Sequence, residues 1–217
     1  MASARPGQRA VDVLLSALGL IVLAPVIVLA AVAVKLTSPG PIFYPAARAG
    51  VGGQTFHMLK LRTMRQAASD GPKITAPGDS RVTPLGRFLR ASKIDEMPQL
   101  LNVLKGDMSI VGPRPEDPDI VRDLYGPAEH ETLRARPGLT SPGTIWYYEN
   151  GEDHLDAGDV MRHYETVMRH KLGIDAEYLR TATVATDARV VLSTVAAILR
   201  RVFARSRATG DASRPGS

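Results

Sequence analysis

The sequence predicts a mainly α-helical chain with one short β-hairpin, in which an N-terminal membrane helix packs on a small cytosolic α/β domain. The stretch 10–36 is almost wholly apolar and is interrupted only by Asp12, Ser16 and Lys35. Two short strand-like runs follow it and are separated by a glycine-rich turn. Most of the remaining chain shows the 3.6-residue apolar period that is typical of helices.

The composition limits the chemistry that the chain can perform. Its 217 residues are enough for one domain with its own core, and the formal net charge of +5 suits anionic partners. Aromatic residues make up only 5% and form no basic-aromatic stripe, so nucleic acid is not an expected partner. The absence of cysteine excludes disulfides, thiolate zinc sites and a cysteine nucleophile.

The apolar stretch 10–36 is long enough for a lipid bilayer. As one helix it would be about 40 Å long. A cleaved signal peptide is the first alternative, but such peptides have an apolar core of only ~7–15 residues that ends at a cleavage site. We therefore expect the stretch to be retained and to contact lipid.

A proline and the flanking charges bear on how this stretch meets the membrane. Pro25 lies near its middle, where it removes a backbone donor and bends or breaks a helix. Arg5 and Arg9 precede the stretch, and Lys35 and Arg48 follow it, so the positive-inside rule places both ends in the cytoplasm. These features leave open a kinked single span and a re-entrant helix that turns back.

The segments after the membrane stretch are predicted in order from turn residues and apolar periodicity. Strands at 42–44 and 55–61 enclose a turn at 48–53, and a polar segment at 67–80 is predicted as a loop. Further along, helices are predicted at 83–91, 98–105, 116–134 and 159–181, with Gly106 ending the second and a turn-rich loop at 136–143.

The last periodic run, 186–203, alternates apolar residues with arginines. It can form a core helix or a basic interfacial helix that lies on lipid. We favour packing against the core. The polar residues 205–217 are predicted to be disordered.

Two adjacent carboxylates, Asp95 and Glu96, precede a short amphipathic run. Such a pair is costly to hold together unless cations or a helix N-terminus lie nearby. A purely structural explanation is a capping box, in which Ser92 caps the following helix and Asp95 completes the motif three residues later.

The neighbouring cations favour a functional explanation for this pair. Arg90 precedes it, Arg114 lies in a Gly-Pro-Arg-Pro turn, and Lys60 and Arg62 end a strand-like run. Arginine binds phosphate oxygens bidentately, and carboxylate oxygens suit Mg²⁺. The histidines show no metal-binding spacing, and no phosphate-binding glycine loop is present.

Several blocks of this sequence resemble the bacterial sugar transferase family, also called monotopic phosphoglycosyl transferases. The similar blocks are the Lys-Leu-Thr-Ser-Pro-Gly-Pro-Ile-Phe stretch at 35–43, the Lys-Leu-Arg-Thr-Met stretch at 60–64, the long block at 83–115 and the Arg-Pro-Gly-Leu-Thr stretch at 136–140. The last part, 171–194, is similar to a subgroup tail of the family. The resemblance covers about 11–203.

The resemblance implies a re-entrant helix that is broken at a Ser-Pro pair, which here is Ala24-Pro25. Serine can satisfy backbone groups that are freed at such a break, and alanine cannot. The implied organisation is a membrane-embedded, re-entrant segment at 1–36, a catalytic domain at 37–204 on the cytoplasmic face of a bacterial cell membrane, and a tail at 205–217.

The resemblance also implies roles for the charged residues. Asp95 would be the nucleophile, and Glu96 would help it to hold Mg²⁺. Arg90 and Arg114, with Pro113 beside the latter, would contact the substrate phosphate or nucleotide. By the same resemblance, Lys60 and Arg62 would line the polar groove that binds this phosphate or nucleotide.

The implied reaction moves a sugar 1-phosphate from a UDP-sugar to a polyprenyl phosphate and releases UMP. Two alternatives stay open: Asp95 as a general base in a direct transfer, and a non-enzymatic, membrane-tethered basic scaffold. The stretch 141–144 departs from the common form of the fourth block, which puts the identity of the donor sugar in doubt. A homo-oligomer is neither required nor excluded.

Overall fold

The structure is a computed structural model that describes residues 7–65, 78–150 and 160–211, without the side chains of 160, 161 and 201–211. Helices dominate. In chain order the elements are α1 (Gln8–Thr37), β1 (Phe43–Ala49), β2 (Thr55–Leu61), α2 (Pro84–Ala91), α3 (Leu100–Lys105), β3 (Ser109–Val111), α4 (Pro118–Leu124), α5 (Pro127–His130), β4 (Gly138–Thr140), α6 (Pro142–Asn150), α7 (Val160–Thr181) and α8 (Val184–Asp211). The predicted class, mainly helical with an N-terminal apolar helix and a two-stranded antiparallel sheet, is confirmed.

The apolar stretch forms a single helix, α1, with Pro25 inside it. It has 30 residues and is long and apolar enough to cross a membrane by length and composition. Most of its large apolar side chains are exposed, because only one stripe faces the rest of the chain. Exposed examples are Leu14, Ile21, Leu29 and Leu36. The re-entrant arrangement at Ala24-Pro25 stays a prediction.

The first turns of α1 are attached to the domain by polar bonds. Arg9 donates hydrogen bonds to the carbonyls of Val103 and Leu104, at 2.5 and 2.7 Å. Asp12 is buried and accepts from the Ser109 hydroxyl at 2.9 and 3.0 Å. These contacts hold the beginning of α1 against α3 and β3.

The end of α1 packs on the same domain through apolar contacts. Ala30 and Val34 belong to one buried cluster with Leu61 of β2 and Leu89 of α2. The beginning and the end of the helix therefore contact one domain.

The predicted hairpin is present. Strands β1 and β2 pair antiparallel from Phe43 opposite Leu61 to Ala49 opposite Thr55. The turn is shorter than predicted, because β1 continues to Ala49 and only a 3-10 turn, Val51–Gly53, closes the hairpin. Gly52 and Gly53 have positive φ, which glycine adopts without strain.

The region around the carboxylate pair differs from the predicted capping box. Ser92 ends α2, and its hydroxyl donates backwards to the carbonyl of Phe88 at 2.9 Å. The chain then forms a 3-10 helix, Ile94–Gln99, before α3. The alternative explanation of the pair, a capping box that begins at Ser92, is therefore wrong. Gly106 ends α3 with φ of 96°, as predicted.

Two predicted segments are reorganised in the structure. The helix predicted at 116–134 is divided into α4, α5 and a 3-10 turn, Glu131–Arg134, because Gly126-Pro127 interrupts it. The loop predicted at 136–143 contains β4, which pairs in parallel with β3, and the start of α6. Neither β3 nor β4 was predicted, since three-residue strands give too short a pattern.

The last two helices complete the domain. Met168 and Leu172 of α7 pack with Ile120 of α4. In α8, Val190 and Ala197 are buried, in agreement with the favoured core packing, while the opposite face exposes a second stripe of Leu192, Val195 and Leu199. Helix α8 continues to Asp211, so the predicted tail at 205–217 begins within it, and 212–217 lie outside the described residues. Most of the loop predicted at 67–80 also lies outside them.

Candidate active site

The two carboxylates lie on the 3-10 helix that follows a sharp reversal of the chain. Lys93, between α2 and this helix, has φ of 59° and is the only non-glycine residue with positive φ among those that the structure describes. A lysine in this left-handed conformation is strained, and such strain is commonly found at functional sites. The reversal turns Asp95 and Glu96 towards strand β2 and the Gly-Pro-Arg-Pro turn.

Glu96 is bound by two of the predicted cations. Lys60 donates to its Oε1 at 3.2 Å, and Arg114 binds both oxygens, at 3.1 Å to Oε2 and 2.5 Å to Oε1. Burial alone would raise the pKa of Glu96. Arg114 and then Lys60 outweigh it and hold this pKa well below its usual range. Glu96 is therefore ionised at neutral pH and is bound by two cations.

Asp95 has a contrasting environment. It is only 4% exposed, and its Oδ1 atom has no hydrogen-bond partner among the described residues. Burial, followed by the adjacent Glu96, raises the pKa of Asp95 to about 6, against the opposing effects of Lys60, Lys93 and Arg90. A buried carboxylate oxygen without a donor is free to bind a cation or to attack an electrophile.

Arg90 reaches the same site from α2. Its Nε donates to the Thr63 hydroxyl at 2.8 Å, which fixes the guanidinium beside Asp95. Helix α2 can approach β2 this closely because Gly86 lies against the backbone of Thr63. The Thr83 hydroxyl caps the helix by accepting from the Gly86 amide at 2.9 Å.

Strand β2 positions Lys60 through an asparagine of α3. The Asn102 side chain accepts from the Leu59 amide at 2.9 Å and donates to the His57 carbonyl at 2.8 Å. Asn102 is 1% exposed, so this bridge is shielded from water. Burial lowers the pKa of Lys60, and Glu96 opposes this effect.

The Gly-Pro-Arg-Pro turn is fixed by β4. Gly138 donates its amide to the Pro113 carbonyl at 2.8 Å, and a side chain on Gly112 would collide with the Arg136 carbonyl. Pro113 is buried and gives the backbone before Arg114 a fixed φ. Pro113 therefore orients Arg114, and it also lines a small cleft together with Ala49 and Tyr125.

Arg62 contacts a different part of the molecule. Its Nη2 donates to the Ser38 carbonyl at 2.8 Å and to the Ser38 hydroxyl at 2.9 Å, at the end of α1. The structure thus brings together Asp95, Glu96, Lys60, Arg90 and Arg114, and it places Arg62 at the exit from the apolar helix.

The carboxylate pair fits a magnesium ion that is shared with a substrate. No group of three or more metal-binding side chains occurs in the part of the chain that the structure describes. Mg²⁺ often takes only one or two carboxylates and completes its shell with water and substrate phosphates. Within residues 7–65, 78–150 and 160–211, Asp95 Oδ1 has no hydrogen bond and Glu96 Oε2 accepts one and keeps a second lone pair, so both could be ligands.

Two residues at this site were not predicted from the sequence. Arg114 and Lys60 have the largest lowering effects on the pKa of Glu96, and Lys93 has the next largest. For Asp95, Lys60 lowers the pKa most and Lys93 comes second. The Nζ of Lys93 also lies 4.5 Å from the ring centroid of Tyr148, on α6. The departure of the sequence at 141–144 was the only signal that pointed to this helix.

The arrangement can bind a dianionic group next to a carboxylate nucleophile or base. Cations from four separate segments surround the buried Asp95 and the partly buried Glu96, and one Asp95 oxygen has no hydrogen-bond partner among the described residues. Preorganised positive charge of this kind stabilises the oxygens of a transferring phosphoryl group.

Comparison with known proteins gives consistent matches along most of the chain. The bacterial sugar transferase family model matches residues 3–201. A UDP-glucose:undecaprenyl-phosphate glucose-1-phosphate transferase of Caulobacter vibrioides is 41% identical over 197 residues, which cover 88% of this chain and 69% of that protein.

Two further relatives have longer chains. An Escherichia coli (strain K12) protein of the same description is 36% identical, with 87% of this chain and 39% of the relative covered. A UDP-N-acetylgalactosamine-undecaprenyl-phosphate N-acetylgalactosaminephosphotransferase of Aeromonas hydrophila is 33% identical, with 91% and 45% covered. The chain spans less than half the length of these two proteins.

Proposed function

The chain belongs to the bacterial sugar transferase family and is a transferase, and we propose that it moves a sugar 1-phosphate from a UDP-sugar to a polyprenyl phosphate, with Asp95 as the covalent nucleophile. One observation supports this proposal above the others. The buried Oδ1 of Asp95 has no donor in the described part of the chain, while Glu96 beside it is held by Lys60 and Arg114. The donor and acceptor classes agree with the names of the relatives.

In the first step, a carboxylate oxygen of Asp95 attacks the sugar-linked phosphorus of the donor. A new P–O bond forms, the bond to the bridging diphosphate oxygen breaks, and UMP leaves with that oxygen. The carboxylate is mostly ionised above its pKa of about 6, so no other base is needed at neutral pH. The product on the protein is a mixed anhydride between Asp95 and the sugar phosphate.

In the second step, a phosphate oxygen of the polyprenyl phosphate attacks the same phosphorus. The bond to Asp95 breaks, the carboxylate is regenerated, and the sugar diphosphate lipid leaves. Arg90 and Arg114 stabilise the negative charge on the transferring oxygens in both steps. A Mg²⁺ ion at Asp95 and Glu96 would supply further neutralisation of the diphosphate.

The contacts of α1 support a location of the active site at the membrane surface. Both the polar bonds of Asp12 with Ser109 and the apolar contacts of Val34 with Leu61 hold α1 on one domain. This supports a re-entrant, monotopic helix in a bacterial cell membrane, with the catalytic domain on the cytoplasmic face. The site then lies at the level of the headgroups, where a lipid-linked phosphate is concentrated.

The test is an assay of UMP release by the full-length protein in detergent, with polyprenyl phosphate present and Mg²⁺ varied. We expect release to depend on the UDP-sugar, on Mg²⁺ and on Asp95, with Asp95→Asn at least about a thousandfold slower. A membrane-tethered scaffold would show no turnover and would tolerate the substitution.

A trapping experiment separates the nucleophile from a general base. Incubation with a radiolabelled UDP-sugar without acceptor should leave labelled sugar phosphate on the wild-type protein and none on Asp95→Asn. Double-displacement kinetics should accompany the label. Sequential kinetics without a trapped adduct would instead assign Asp95 the role of a base.

A further inference from the structure

Helix α6 begins directly after β4, at the stretch where the sequence departs from the family pattern. Its N-terminus is fixed by α7, since Asp175 accepts from the Gly143 amide at 2.8 Å and from the Ser141 hydroxyl at 2.9 Å. This anchoring leaves little freedom to the following turns of α6. Tyr148, near its end, is half-buried and is presented to the carboxylate site.

The ring of Tyr148 contacts a cation that lies next to the catalytic carboxylates in the chain. The Lys93 ammonium lies 4.5 Å from the ring centroid, within the range of a cation–π contact. Lys93 directly precedes the 3-10 helix that carries Asp95 and Glu96. Tyr148 therefore lies at the edge of the reaction centre.

The chemistry of the donor identifies the part that this ring can reach. In a UDP-sugar, the hexose is joined through one oxygen to the phosphorus that Asp95 attacks. The uracil is separated from that phosphorus by the second phosphate and the ribose. A side chain that contacts Lys93, two residues before Asp95, is thus in reach of the hexose rather than of the base.

We propose that Tyr148 determines donor specificity by packing its ring against the hexose of the UDP-sugar, beside the Lys93 ammonium. This inference rests on the proposed function and deepens it. An aromatic ring offers an apolar surface to the C–H face of a sugar, and the nearby cation and phenol contact its hydroxyl groups.

The first test measures binding by calorimetry, with the full-length protein in detergent and Mg²⁺. The ligands are UDP-glucose, UDP-N-acetylgalactosamine and UDP. For Tyr148→Ala we expect affinity for the preferred UDP-sugar to fall about tenfold or more and affinity for UDP to change less than about twofold. Tyr148→Phe keeps the ring and should keep most of the affinity.

Tyr147→Ala is the matched control. It removes an equal ring from the same helix, but the neighbouring cation of Tyr147 is Lys171, at 5.9 Å. We expect it to leave the ratio of UDP-sugar to UDP affinity unchanged. An equal loss of UDP and UDP-sugar affinity in Tyr148→Ala would place the ring on the nucleotide and overturn the inference. Unchanged affinity for all three ligands would overturn it as well.

The second test measures turnover with the same two donors. The kcat/KM ratio between them should change about tenfold in Tyr148→Ala, while the KM for polyprenyl phosphate stays constant. An equal fall of kcat/KM with both donors would overturn the specificity role of Tyr148 and would leave the proposed function standing. If the wild-type protein turned over no UDP-sugar, the proposed function would fail, and the binding comparison would still decide whether Tyr148 contacts the hexose.

Discussion

Adjacent residues in one short 3-10 helix have opposite electrostatic environments. Arg114 and Lys60 bind Glu96 and keep it ionised. Asp95, one position earlier, has a buried oxygen to which none of the described residues donates, and burial raises its pKa to about 6. This difference between the two environments suits the proposed roles. A nucleophile needs an oxygen that is not held by a hydrogen bond, whereas a residue that orients cations must keep its negative charge.

The first prediction concerns Arg114→Lys. Lysine is a point charge and cannot bind both oxygens of Glu96, so the preorganised charge at the site is lost. We expect kcat/KM for UMP release to fall by about a hundredfold. The control is Arg122→Lys, since Arg122 binds Asp119 and Asp123 on the exposed surface of α4. Equal activity of the two variants would contradict the role of the bidentate contact.

The second prediction concerns the pH dependence of stability through Asp175. Burial raises the pKa of this carboxyl to about 6, against the hydrogen bonds from Gly143 and Ser141. A raised folded-state pKa means that the neutral form stabilises the fold. This contribution is complete below the unfolded value of about 3.8 and is lost as the pH rises through about 6.

Asp175→Asn mimics the neutral form and removes this dependence. Between about pH 5 and pH 8, the unfolding free energy of the wild type should fall by about 1 kcal/mol relative to that of the variant. Denaturant titration in detergent at both pH values measures the difference. A constant difference across the range would show that Asp175 does not titrate there.

At the scale of elements, the site depends on close approaches between backbones. Gly86 lets α2 lie against the end of β2, and Gly112 and Gly138 let the Gly-Pro-Arg-Pro turn meet β4. Each approach fixes an element that presents a cation, Arg90 in the first case and Arg114 in the second. A single methyl group at such a contact has no space, because interiors are close-packed.

The third prediction concerns Gly86→Ala. The new Cβ would lie 2.1 Å from the Thr63 carbonyl oxygen, so α2 must move away from β2. We expect a loss of about 1–3 kcal/mol of stability together with lower activity, since Arg90 is displaced. The control is Gly173→Ala in α7, where a Cβ meets no atom within 4 Å and the substitution should stabilise by up to about 1 kcal/mol. Thermal unfolding of both variants measures the contrast.

At the scale of the whole molecule, the exposed apolar surface lies mainly on two helices. The outer face of α1 exposes large apolar side chains along its length, and α8 exposes a second stripe. Both helices contact the β3–β4 pair, α1 through Asp12 with Ser109 and α8 through Thr194 with Thr140. The two apolar faces therefore belong to one packed domain. Because α8 exposes this second apolar stripe, contact of α8 with lipid stays a prediction.

The fourth prediction concerns the topology of α1. Single cysteines at positions 3 and 54, in a chain that has none, should react with an impermeant reagent only after the cells are opened. Asp12→Ala removes the bond to Ser109 and should make position 3 reactive in a fraction of intact cells. Reaction of position 3 in the intact parent protein would contradict the re-entrant arrangement.

The sequence by itself determined the features that depend on local pattern and composition. These include the apolar helix, the β1–β2 hairpin, the stop at Gly106 and the adjacency of Asp95 to Glu96, since periods of 2 and 3.6 residues and turn residues are visible in a short window. The neighbouring cations were also visible in the sequence, and the family resemblance added their roles. The strands β3 and β4 have only three residues each, which is too short for a recognisable apolar pattern.

Only the tertiary structure decided which of the candidate cations contact the carboxylate pair. Lys60 reaches Glu96 across 36 residues and Arg114 across 18, whereas Arg62 turns to Ser38. Neither the left-handed Lys93 nor the position of Tyr148 has a local sequence signal, because both follow from how α2, α6 and the 3-10 helix pack together. Contacts between distant segments are set by the packing of the whole domain, and a short sequence window contains no information about them.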